Sequence, residues 1–207
     1  MLTRKEFIQN HWKYYLMLES KFISTTNYVE LSTDNFDTFS NEYASLIQLI
    51  GAELDCFFKE YCGFNKEDIK NISDYARYIL ADYADIKNQE ISITDYDIGL
   101  KPFETWDASR AKQSLPWWEA FDKIKHNRVD NKNIASLRNV LDILGALFLI
   151  EMKYLKKISE QFEVPDIPDD ESKIFSLKNW DYKYLSMEDA FFHLVDNASS
   201  LFNQEND

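Results

Sequence analysis

Ile143-Leu144-Gly145-Ala146-Leu147-Phe148-Leu149-Ile150 is the longest apolar run in the chain, and it lies inside a longer segment with helical spacing. Ile134, Leu137, Val140, Leu141, Leu144, Leu147 and Phe148 recur at three- and four-residue intervals, which places them on one helical face. The spacing predicts a single helix from Ile134 to about Phe162, with Asn131 or Asn133 as its cap. A helix that is apolar nearly all round must be covered by other elements or by a second subunit, so this one is predicted to be central. Gly145 and Ala146 would let a neighbouring backbone come close. The run is eight residues long, whereas a membrane span needs about 20.

Working outward, the flanking segments read as helices too. Thr3 and Glu6 have capping-box spacing, and a helix is predicted from Arg4 to about Ile23, carrying His11 as a surface or half-buried residue. Ser40 can cap a second helix, with apolar positions from Tyr43 to Tyr61 and a stop at Gly63. Glu53 sits near the core edge of that helix, as an ordinary boundary acid or as a half-buried one with a partner. Asn65 and Asp68 are predicted to open a third helix containing Ile69, Ile72, Tyr75, Ala76, Ile79 and Tyr83. The period then changes. Ile91, Ile93, Ile98 and Leu100 alternate around Thr94-Asp95-Tyr96-Asp97, which predicts a small hairpin within 89–103. Pro165 and Pro168 end the central helix in an acidic loop, a short strand is predicted over 173–177, and Ser186 starts a last helix through Phe202. With 4 Gly, 4 Pro and 45% hydrophobic residues in 207, the chain is predicted to be all-α. It forms one domain over 1–207, a helical bundle of about five to six helices with a small β-hairpin or short extended decorations.

The net charge is −13, which argues against a protein coated for nonspecific nucleic-acid binding. Between Arg110 and Arg138, however, seven basic residues meet three acidic ones. That local excess reads either as a solvated face or as a patch for an anion such as RNA phosphate. Cys56 and Cys62, six residues apart on a helix, would be about 9 Å apart along the axis, too far for a disulfide. Their thiols and the lack of a signal peptide point to the cytoplasm. No glycine-rich phosphate loop, CxxC pair or HExxH motif is present, and no metal or cofactor is expected.

One stretch does carry chemistry: Pro116-Trp117-Trp118-Glu119-Ala120-Phe121-Asp122-Lys123-Ile124-Lys125-His126-Asn127-Arg128. As a helix with Pro116 at its first position, it places Trp117, Phe121, Ile124 and Arg128 on one stripe. Trp118, Asp122 and His126 fall on another. Histidine moves protons near neutral pH, a carboxylate one turn earlier can orient it, and nearby cations can hold phosphate. The run Phe121-Asp122-Lys123-Ile124-Lys125-His126-Asn127-Arg128 resembles the HEPN superfamily. That family's motif is an Arg, usually followed by Asn, Asp or His, with a histidine four to six residues after the Arg. Asp122 matches the polar position and His126 the histidine, while Phe121 stands where the Arg is expected and leaves Lys125 or Arg128 to supply a cation.

The resemblance implies a metal-independent ribonuclease of phage-defence or toxin–antitoxin type, acting as a homodimer. His126 and Asp122 would be catalytic, and Lys125, Arg128, Lys123 and Trp118 would contact the RNA. An alternative is a catalytically degenerate dimerisation or regulatory module that binds a protein partner or antitoxin. A third reading is a small-ligand sensor built on Trp106, Trp117 and Trp118. None of the three involves a membrane.

Overall fold

The computed structural model describes residues 1–65, 67–178, 180 and 191. Five helices and a small antiparallel sheet make up the described fold. The first helix runs continuously through three segments: α1 (Arg4–Phe7), a π turn (Ile8–Trp12) and α2 (Lys13–Thr25). Its start is the expected capping box, with Thr3 and Glu6 each satisfying the other's backbone N–H. The π turn was not foreseen. Next come α3 (Asn41–Cys62), capped by Ser40 and stopped by Gly63 at φ 68°, and α4 (Ile72–Asp82). After these follow β1 (Ile91–Ile93), β2 (Gly99–Leu100), α5 (Pro116–Asn127), α6 (Leu137–Phe162) and β3 (Phe175–Leu177).

The central helix is α6. It packs against α1 and α2, α3, α5 and β3, and most of its residues are buried. The sheet order is β2-β1-β3, with Ile91 opposite Leu100 and Leu177. The predicted hairpin and the short strand at 173–177 are thus parts of one sheet. That sheet leans on α6 at Gly145, where a Cβ would come within 2.5 Å of the Ile91 Cδ1. The close approach is therefore by a side chain, not by the backbone expected.

Two helix starts differ from expectation. α4 begins at Ile72 with Asn71 as its cap and Asp74 completing the box, so Asn65 and Asp68 do not open it and Ile69 is fully exposed. α6 begins at Leu137, capped by Ser136, while Ile134 lies in a short 3-10 turn. The physical reason is tertiary. Phe39 pairs with Ser136, and the carbonyls of Thr38 and Phe36 accept from the N–H groups of Leu137 and Arg138. Those two donors would otherwise be unsatisfied at a helix start. The crossing segment fixes where the helix begins.

The first helix also grips the stretch after α6. Arg4 donates to the Ile167 carbonyl at 2.7 Å, and Trp12 Nε1 donates to the Asp170 carbonyl at 2.7 Å. The Glu19 carboxylate receives the amides of Lys173 and Ile174, together with the Ser172 and Tyr15 hydroxyls. The helix predicted from Ser186 to Phe202, with His193 on it, lies outside the described residues apart from Phe191. No described helix is long and apolar enough to cross a membrane.

Candidate functional site on helix α5

α5 opens with Pro116 in its first turn, where the missing N–H costs nothing. Its apolar side is broad: Trp117, Trp118, Ala120, Phe121 and Ile124 are all buried. Trp117 Nε1 donates to the Pro102 carbonyl at 2.7 Å. Phe121 lies directly against α3, where a Cβ on Gly51 would sit 2.2 Å from its ring. Glycine at 51 is what lets α5 come this close. The helix docks on α3 as well as on α6.

Trp118 belongs to this packed side. It is 7% exposed and its ring meets Phe58, Trp117 and Phe121, so it presents no face on which a base could stack. The expected Trp118/Asp122/His126 stripe is therefore split, with its first residue in the core and the other two outside. Trp106 and Trp117 are likewise buried, each packed against Phe103, and these indoles form core packing instead of the ligand pocket of the third reading.

Asp122 and His126 are together, as the spacing required. The His126 ring is 72% exposed, and its Nε2 stands 3.6 Å from Asp122 Oδ1. That separation is electrostatic contact, beyond a hydrogen bond. The other Asp122 oxygen is held by Lys112 Nζ at 2.8 Å. Lys112 was not among the expected site residues. It precedes the helix in an irregular segment where no periodicity could place it, and its only sequence signal was membership of the basic stretch.

The remaining expected cations scatter. Lys123 is tied to Glu119 at 2.6 Å, and Lys125 lies over the Phe121 ring at 5.5 Å from its centroid. Arg128 donates to Asn41 Oδ1 at 3.0 Å across the start of α3. With Lys132 and the half-exposed Phe39, it lines a depression of about 230 Å³. Neither Arg128 nor Lys132 meets a carboxylate among the described residues.

A second polar cluster lies inside the bundle. His11, in the π turn, has Nδ1 3.0 Å from Glu53 Oε1, and its ring packs edge-on against Phe57. Glu53 is thus the half-buried acid with a partner. On α6, Glu151 is fully buried, and neither of its carboxylate oxygens has a hydrogen-bond partner among the described residues. Burial, with the nearby Glu53 charge adding to it, pushes its carboxyl well above the usual range. This arrangement favours a neutral acid beneath a histidine–carboxylate pair. No group of His, Cys, Asp and Glu among the described residues could hold a metal ion.

Compared with family models, with curated proteins and with solved structures, the chain has no match.

Proposed function

We propose that this is a HEPN-like helical protein that cleaves RNA without a metal, using the outer face of α5 in a homodimer. The observation that carries this reading is the Asp122 carboxylate, which sits between His126 and Lys112 on an exposed surface. In the proposed reaction a His126 imidazole takes the proton of a ribose 2′-hydroxyl. The 2′-oxygen then bonds to phosphorus as the bond to the 5′-oxygen breaks, and His126 of the second copy protonates that leaving oxygen. The products are a 2′,3′-cyclic phosphate and a 5′-hydroxyl. Lys112 and Lys125 supply positive charge near the phosphate. Arg128 and Lys132 contact the strand beyond it, and Phe39 offers a ring for a base. Use in phage defence or a toxin–antitoxin pair rests on the resemblance alone.

The test is cleavage of single-stranded and structured RNAs in the presence of EDTA. Cleavage should persist with the chelator and disappear in His126→Ala. Intact RNA across pH 5 to 8 with wild-type protein would sink the proposal.

One observation favours a second reading, a non-catalytic interaction module. Phe121 occupies the position where the resemblance expects an arginine, and it is committed to packing against Gly51. An arginine there could not face a substrate without undocking α5. Under this reading the same face binds a protein partner. A monomer that cuts RNA would count against it.

A further inference from the structure

The first helix covers a titratable side chain in an otherwise apolar seam. On α6, Phe148 packs against Trp12 and Tyr15, and Tyr154 packs against Phe7 of the first helix and Phe57 of α3. Glu151 stands three residues from each of them, so its carboxyl shares their side of α6, where the first helix and α3 meet it. We propose that Glu151 is a proton-dependent latch: uncharged, it lets the first helix seat on α6, and on losing its proton it releases that helix together with residues 170–174.

The surroundings leave the charged form uncompensated. From α3, Glu53 adds a like charge, and His11 of the π turn is already engaged with Glu53 at 3.0 Å. From α2, Tyr15 donates its hydroxyl to Glu19 instead, and burial first and Glu19 second hold that phenol protonated. The buried side chains of α1, α5 and β3 are apolar. No Lys or Arg pairs with Glu151 or Glu53 among the described residues. An ionised Glu151 therefore needs water, which reaches it when an element covering it moves away.

The first helix is the cover held least firmly. It packs mainly on α3 and α6, whereas α3 is gripped by α2, α4, α5 and α6. It also carries the π turn over Ile8–Trp12, a rare feature that recurs at functional sites. Opening it alone costs less than opening the whole fold. Below the ordinary glutamate value the carboxyl is protonated in both states, and opening does not depend on pH. Above it, the opened protein releases a proton that the closed one keeps, because burial holds the closed-state carboxyl well above the usual range. The opening equilibrium then rises by up to about tenfold per pH unit. Trp12 and Glu19 travel with the helix, so their hold on the Asp170 carbonyl and on the Lys173 and Ile174 amides goes with it.

The experiment is native-state hydrogen exchange on the full chain at pH 6, 7 and 8, read as protection factors so that the intrinsic pH dependence of exchange divides out. In wild type, the amides from Lys13 to Phe22 and those of Lys173 and Ile174 should be less protected than the amides of α3. Their protection should fall by up to about tenfold per pH unit. Glu151→Gln should make that protection independent of pH, and Glu151→Leu should give the same flat profile if the glutamine variant does not fold. The proposal is overturned if the first helix exchanges no faster than α3 at every pH, which would mean that it opens only with the whole fold. It is overturned equally if the wild-type profile is flat, or if the variants keep the wild-type slope. RNA and the α5 face play no part in the readout, so the outcome stands apart from the proposed cleavage.

Discussion

Replacing Glu151 should stabilise this protein, and by an amount that grows with pH. The side chain is fully buried on α6 with both oxygens unpartnered among the described residues, and its carboxyl is pushed up by burial first and by Glu53 second. In the unfolded chain a glutamate titrates near its ordinary value of about 4.3. Above that pH the folded protein holds a proton that the unfolded chain has released. Stability is therefore full below the unfolded value and falls as pH rises toward the folded one, by about 1.4 kcal/mol per pH unit for one proton. Glu151→Gln keeps the shape and cannot ionise, so this slope disappears. Relative to wild type, the variant should gain stability steadily as the pH rises from 5 to 7. Glu151→Leu also removes the desolvated polar atoms and should add about 1–3 kcal/mol even at pH 5. Urea denaturation at pH 5, 6 and 7 reads these differences, and the carboxylates other than Glu53, which is coupled to Glu151, cancel between variant and wild type. A variant-minus-wild-type difference that stays flat across this range would refute the reasoning. So would a Leu variant less stable than wild type at pH 7, because that would mean the carboxylate has a partner.

Gly51→Ala should cost about 1–3 kcal/mol, because the new Cβ meets a buried ring on a docked helix that has no room to retreat. Gly145→Ala should cost less, since the atom it meets first is the end of the Ile91 side chain; thermal unfolding of the two variants checks the order. Ser136→Ala should lower stability by about 1 kcal/mol through loss of the α6 cap, whereas Asn133→Ala should stay within about 0.5 kcal/mol. The reverse order in a denaturant titration would move the start of α6 back to the earlier asparagines.

What could be read from the sequence was governed by how local each cause is. Thr3 with Glu6, Ser40, Gly63 and Pro116 act within one turn of their own helix, and each does what its residue type and spacing imply. The start of α6 depends on carbonyls of Phe36 and Thr38, about a hundred residues earlier in the chain, so no local pattern could choose Ser136 over Asn133. Asn71 with Asp74 carries the same kind of signal as Asn65 with Asp68, and only the packing of Ile72 beside an exposed Ile69 distinguishes them. At the candidate site, the Asp122/His126 contact follows from helix geometry and was legible. Lys112 was not, because it reaches Asp122 from irregular chain. Trp118 is buried because α5 docks on two helices and on Pro102 and Phe103, which widens its buried arc beyond a single stripe. His11 and Glu53 show the same limit. Each looked ordinary on its own helix, and they meet across 42 residues through a π turn that the sequence does not announce.

The grip of the first helix on residues 167–174 has a consequence for the order of folding. Trp12 reaches its partner carbonyl across 158 positions, and Glu19 reaches the amides before β3 across a similar interval. Closing so long a loop costs more entropy than forming the adjacent helices, and the return comes only when both ends are already near one another. Loop-closure entropy therefore favours forming the α3–α6 pairing before that grip. β3 is adjacent to β1 in the sheet, and the chain that leads into it is fastened by the first helix. Among the described residues, the last strand thus depends for its approach on the first helix.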